Sequence, residues 1–181
     1  PLVKTGGLAD VVGALPGAMA EFGWQMRVLL PAYTGVVAKL TGVREVWRDA
    51  DLFGGAARVM LGRVGKTEVL ALEAAHLFAR AGGPYSDGSG DFRDNPERFA
   101  ALCWVAAELA RLGDAEGWRP DIVHAHDWQG GLAPAYMRYG GGGAKSVMTV
   151  HNIAFQGIAG AARLAALRLP PAAFSPEELE Y

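Results

Sequence analysis

Three short segments of this chain group residues that could do chemistry. The first is Lys4-Thr5-Gly6-Gly7-Leu8. Two glycines let a ligand approach the backbone closely. A helix starting there offers free N–H groups and a partial positive charge, and Lys4 adds a full one, so the segment suits a phosphate. The spacing is neither the dinucleotide G-x-G-x-x-G nor the P-loop G-x-x-x-x-G-K-[ST]. A turn glycine pair beside a surface lysine is the plainer alternative. The second segment is His124-Ala125-His126-Asp127-Trp128-Gln129. Strand alternation puts His124 and His126 on one face and Ala125 and Asp127 on the other. The imidazoles and the carboxylate then do not share a face, and no cysteine lies nearby, which argues against a metal. A carboxylate at a strand terminus beside an indole suits a sugar, whose hydroxyls meet carboxylates and whose C–H faces meet rings. The alternative is a capping Asp with a packed Trp. The third segment is His151-Asn152-Ile153-Ala154-Phe155-Gln156-Gly157. His and Asn at a strand's carboxyl end are costly to bury unless hydrogen-bonded, and a satisfied structural histidine is the alternative there.

These segments need elements to position them. Residues 5–22 carry Leu8, Val11, Val12, Leu15, Met19 and Phe22 at helical spacing, with Pro16 predicting a kink or break near Leu15 and Gly23 ending the helix. Residues 25–30 read as a short buried strand stopped by Pro31. Residues 43–48, 57–64 and 67–72 read as strands, the last two forming a hairpin over Gly65 and Lys66. Residues 80–93 form a long polar, glycine-rich loop, of the kind that is functional or mobile. Asp94-Asn95-Pro96-Glu97 starts a helix whose apolar stripe is Phe99, Leu102, Cys103, Ala106, Leu109 and Leu112. Residues 121–125 and 146–150 are buried strands, residues 130–139 and 160–168 are helical, and the run 140–143 is a glycine linker. Ser175-Pro176-Glu177-Glu178 is a capping box that opens a further helix. Strands alternating with helices give the α/β class, a parallel sheet wrapped by helices. In such sheets ligands bind beyond the carboxyl ends of the strands, which is where the second and third segments fall.

Composition narrows the partners. The 181 residues fit one domain, and 51% hydrophobic content is enough for a full core. A net charge of −2 with no basic stripe argues against nucleic acid. No apolar run reaches the ~18 residues of a membrane span, and no signal peptide is visible at the start. The single cysteine, Cys103, excludes a disulfide within the chain, reads as a small core residue, and suits a reducing cytoplasm.

Taken in order, KTGGLADVVGALP, RVLLPAY, HAHDWQGGLAPAY and SVMTVHNIAFQG resemble the bacterial glycogen/starch synthase family nearly segment by segment, from Lys4 to the LPPAAFSPEELEY end. The resemblance implies a GT-B fold, two Rossmann-like domains facing a cleft, with residues 1–181 as the N-terminal domain lacking its first strand and its C-terminal partner. It implies a retaining, metal-independent and cofactor-free transfer of glucose from ADP-glucose to the 4-OH at the non-reducing end of an α-1,4-glucan. Lys4 matches the lysine that contacts the nucleotide-sugar, and Gly6 and Gly7 match the loop against its phosphates. Asp127 and His151 match catalytic positions near the transferred glucose. Asn152, Tyr85 and Asp10 match substrate-binding positions. The resemblance implies that the family's second domain supplies an Arg/Lys pair on the diphosphate, the glutamate of an E-x7-E motif and most of the nucleoside pocket, so the chain alone is expected to be inactive. A glucan- or nucleotide-binding module without catalysis is the alternative, and a related GT-B enzyme such as sucrose synthase fits the HDW and TVHN pairing less well. A dehydrogenase is disfavoured by the missing G-x-G-x-x-G.

Overall fold

The computed structural model describes residues 2–3 and 6–179. The chain divides into two compact units, Pro1–Asp91 and Phe92–Tyr181.

In the first unit the run after Gly6-Gly7 folds as helix α1 (Leu8–Ala20). Leu8, Val12, Leu15 and Met19 are half-buried along one side, while Val11 and Phe22 are 41% and 77% exposed, so the inner face is narrower than the sequence suggested. The expected break at Pro16 does not occur: α1 runs through it, with the ring buried. Proline removes one hydrogen bond of the ladder, and the turns on either side keep theirs. The helix ends as foreseen at Gly23. The Trp24 amide donates to the Met19 carbonyl at 3.2 Å and the Gly23 amide to that of Ala20 at 3.1 Å, the paired bonds of a Schellman cap, with Gly23 at φ +82.

Strands β1 (Arg27–Pro31), β2 (Thr41–Asp49), β3 (Ala57–Val64) and β4 (Thr67–Glu73) form one sheet in the order β1-β4-β3-β2. β1 runs parallel to β4, and β2, β3 and β4 form an antiparallel meander. The hairpin over Gly65-Lys66 closes with Val64 opposite Thr67. β4 lies between β1 and β3, and its run Val69-Leu70-Ala71-Leu72 is at most 3% exposed on both faces, which is why it reads as continuously apolar. Each fully buried aliphatic side chain of this kind contributes about 1.5–3 kcal/mol. One core cluster packs Val69 and Ala71 with Val36 and Leu40, flanked by Leu2, Val3, Leu30, Tyr33 and Met60. Cross-strand ion pairs edge the sheet: Arg27–Glu68 at 2.9 Å, Arg63–Glu68 at 2.7 Å and Arg58–Glu73 at 2.7 Å. The hydrogen bond from Arg63 holds the Glu68 carboxyl below its usual range. A single turn, α2 (Ala75–Phe78), follows β4. Inside the polar loop, β5 (Ser86–Asp87) and β6 (Gly90–Asp91) pair as a two-residue ladder.

The second unit is organised by helix α3 (Asn95–Leu112), which starts where expected, with Pro96 in its first turn. The candidate cap Asp94 makes no side-chain cap bond. Phe99, Cys103 and Leu109 are buried as the stripe predicts, but so are Arg98, Ala101, Val105 and Ala107, while Leu112 is 62% exposed. The helix is thus covered on more than one face. Burial pushes the Cys103 thiol up to about 12, and Sγ donates to the Gln129 carbonyl at 3.2 Å, the behaviour of a core residue. Strand β7 (Ile122–His126) leads into a short turn α4 (Asp127–Gly130), then α5 (Ala133–Tyr139), then β8 (Lys145–Thr149). The single helix expected over 130–139 is split, with Pro134 restarting it in α5. β7 and β8 pair in parallel, with His126 opposite Thr149.

Two further expectations fail here. β8 is not buried: Val147, Met148 and the following Val150 are 45%, 41% and 59% exposed, because no second layer of this unit's described residues covers them. Residues 160–168 give only a 3-10 turn at Ala161–Arg163, and no helix starts at Ser175 among the described residues. There the Glu178 carboxylate pairs with the Arg138 guanidinium and accepts from the Tyr139 hydroxyl at 3.1 Å, instead of closing a capping box. The parallel pairs β1–β4 and β7–β8 with their helices bear out the α/β class. Among the described residues no helix is long and apolar enough to cross a membrane.

Candidate active site

The parallel register of β7 and β8 brings their carboxyl ends side by side, and the polar residues gather there. His124 and His126, two apart on β7, stack with ring centroids 4.3 Å apart and planes at 26°, as the alternation of a strand requires. His124 Nε2 meets Thr149 Oγ1 at 2.7 Å. His151, two residues past the end of β8, continues the pile: its ring lies 5.3 Å from that of His126 at 10°. His126 Nδ1 and His151 Nε2 form a hydrogen bond of 3.0 Å. Burial first, then the neighbouring imidazoles of His124 and His151, bring His126 down to about 4, against the opposing pull of Asp127. At neutral pH its ring is uncharged.

Asp127 leaves β7 at φ +50, the left-handed region that Asp and Asn tolerate better than other side chains. That turn aims the carboxylate across to the neighbouring strand. Oδ1 accepts the backbone N–H of His151 at 2.7 Å and that of Asn152 at 3.4 Å. Oδ2 takes no hydrogen bond from the described residues. Asn152 is exposed, and its Oδ1 accepts the amide of Ala154 at 3.0 Å, closing an Asx turn that shapes the loop. The site is therefore a carboxylate held against two amides, beside an exposed imidazole with a fixed neighbour.

Trp128 serves this site as support. Its ring meets Phe99 edge-on at 4.8 Å and 77°. A Cβ at Gly157 would sit 2.4 Å from its Cε3. Gly157, at φ +62, thus lies directly against the indole, where no other residue fits. These contacts are what the packed-Trp alternative expects of this ring.

The structure thus brings together Asp127, His151 and Asn152 from segments 24 and 25 residues apart. The other predicted residues lie in the first unit. Gly6, at φ +73, and Gly7 precede α1, and a Cβ at either would meet nothing within 4 Å. Crowding by the described residues therefore does not account for the second glycine. Asp10 is exposed in the first turn of α1, and Tyr85 is half-buried just before β5. Lys4 lies outside the described residues. The residues that sequence reasoning missed are His124, His126 and Thr149. The His-x-His alternation was visible, but it was weighed only as a metal signal. Among the described residues no group of three or more His, Cys, Asp or Glu is arranged to hold a metal ion.

Known proteins match along the whole chain. The family model described as starch synthase catalytic domain matches residues 1–181. A glycogen synthase from Cereibacter sphaeroides is 60% identical over 182 residues, covering 100% of this chain and 38% of the relative. A glycogen synthase from Paracoccus denitrificans is 53% identical, covering 100% of this chain and 39% of the relative. The solved catalytic domain of starch synthase IV from Arabidopsis thaliana, bound to ADP and acarbose, superimposes with a TM-score of 0.77 at 28% identity, covering 97% of this chain and 36% of that one. The chain spans less than two fifths of the length of these relatives. With motifs, fold and relatives in agreement over its full length, the chain belongs to the starch synthase catalytic domain family.

Proposed function

We propose that this chain is the N-terminal part of a cytoplasmic glycogen/starch synthase of GT-B fold. The reaction transfers glucose from ADP-glucose to the 4-OH at the non-reducing end of an α-1,4-glucan, with retention at the anomeric carbon. The observation that carries this reading is the Asp127 carboxylate, fixed by the His151 amide at the carboxyl ends of β7 and β8. The ADP bound to the Arabidopsis relative supports an adenine nucleotide as the leaving group.

The roles follow from charge. Departure of a diphosphate develops negative charge, which preorganised cations and helix N-termini stabilise. Lys4 and the Gly6-Gly7 approach to α1 supply these here, with no metal ion or cofactor. Developing positive charge at the anomeric carbon faces Asp127, with His151 against the glucose. Asn152, Asp10 and Tyr85 bind substrate.

The test is glucose transfer to glycogen from ADP-glucose and, beside it, UDP-glucose. It is run with the 181-residue chain and with the longer product of the same gene. Transfer by the longer product, with ADP-glucose preferred, is expected. No transfer from either donor, with glucan or nucleotide still bound, would replace this reading by that of a binding module.

A further inference from the structure

His151 is exposed, and an exposed imidazole normally samples several rotamers. Here the 3.0 Å bond between His126 Nδ1 and His151 Nε2 holds it, with the two ring planes within 10° of each other, edge to edge. That bond needs one nitrogen carrying a proton and one bare, so two neutral rings satisfy it with a single shared proton. His126 is itself held from behind. It stacks on His124, whose Nε2 is anchored at 2.7 Å on Thr149 Oγ1. The support therefore runs from Thr149 through His124 and His126 to His151, all within the ends of β7 and β8. Asp127 fixes the backbone of His151 while the pile fixes its ring. The two constraints leave Nδ1 as the ring nitrogen of His151 that the pile does not occupy.

We propose that His126 is a positioning residue for glucosyl transfer, holding the His151 ring in one orientation through its Nδ1. The inference rests on the reading given under Proposed function and deepens it. His126 does not touch the sugar in this scheme. It keeps His151 from spending the transition state's stabilisation on its own ordering, the kind of misplacement that costs rate more than binding.

Two variants of the gene's longer product separate the hydrogen bond from the stack. His126→Phe keeps a flat ring and loses Nδ1. His126→Asn loses the ring and keeps an amide near the position of Nδ1. Steady-state transfer from ADP-glucose is expected to fall about 10- to 100-fold in kcat for the Phe variant, with KM for the donor nearly unchanged. The Asn variant is expected to recover most of that loss. Histidine-selective 15N spectra of each variant, recorded with a melting curve, report whether His151 keeps one tautomer: single for the wild type and Asn, mixed for Phe. A Phe variant with wild-type kcat, or Asn and Phe variants equally impaired with lowered melting points, would overturn the inference while leaving the transfer reading intact. A wild-type protein that transfers nothing would bring down the transfer reading and this inference with it.

Discussion

The two units use their strands in opposite ways. In the first, β4 is enclosed by β1 and β3, buried on both faces, and edged by arginine–glutamate pairs. In the second, β7 and β8 form a two-stranded sheet among the described residues, β8 is exposed from Lys145 to Met148, and the apolar interior is built around α3. The polar cluster belongs to the thinner sheet. Two parallel strands place two carboxyl ends side by side, and little of their length is needed for packing. The first unit teaches how this sequence makes a stable sheet, and the second how it holds a carboxylate and an imidazole at a strand end where a ligand can reach them.

That contrast predicts where substitutions hurt. The largest stability effect belongs to the first unit: Leu72→Ala, at a fully buried site in β4, is expected to cost about 2–5 kcal/mol in denaturant unfolding. Val147→Ala in β8, 45% exposed, is expected to stay within about 0.5 kcal/mol in the 181-residue chain. A clearly larger loss in the longer gene product would show that another part of the protein covers β8. The largest effect on activity belongs to the second unit. Asp127→Asn keeps an acceptor for the His151 amide and tolerates φ +50, so unfolding is expected to change little. Transfer is expected to fall about 10²–10³-fold as the charge is lost. Equal losses of stability and activity would make Asp127 a structural latch only.

Gly157→Ala tests the loop wall. The added methyl meets Trp128 at 2.4 Å on a backbone at φ +62, so a loss of about 1–3 kcal/mol and a changed near-ultraviolet tryptophan signal are expected. The histidine pile adds a pH dependence. His126 falls from its usual 6.5 to about 4 on folding. The unfolded chain therefore binds its proton first as pH drops. The folded state loses stability between about pH 6.5 and pH 4, and the contribution is fully present above pH 6.5. The ring is partly solvated, which discounts the full linkage to about 1–2 kcal/mol. Unfolding midpoints across that range should show the slope in the wild type and lose it in His126→Phe.

Local rules in the sequence determined much of this molecule. Alternation placed His124 and His126 on one face, Gly65-Lys66 closed the β3–β4 hairpin, Pro96 marked the start of α3, and Gly23 ended α1. Each is decided by residues a few positions apart, through pleat, turn geometry or a missing N–H, so it is legible without a fold. The motif string from KTGGLADV to TVHN likewise identified the family from the chain alone. Only the tertiary structure decided the rest. His151 joined the histidine pile because β8 pairs with β7 in the register that sets His126 opposite Thr149, a choice no spacing encodes. The Asp127 carboxylate found the His151 amide, rather than capping its own turn, because a left-handed residue turned it toward the next strand. Trp128 became a wall because Phe99 and Gly157, distant in sequence, close on it. Periodicity tells which residues share a face, and long-range pairing and packing decide what that face meets.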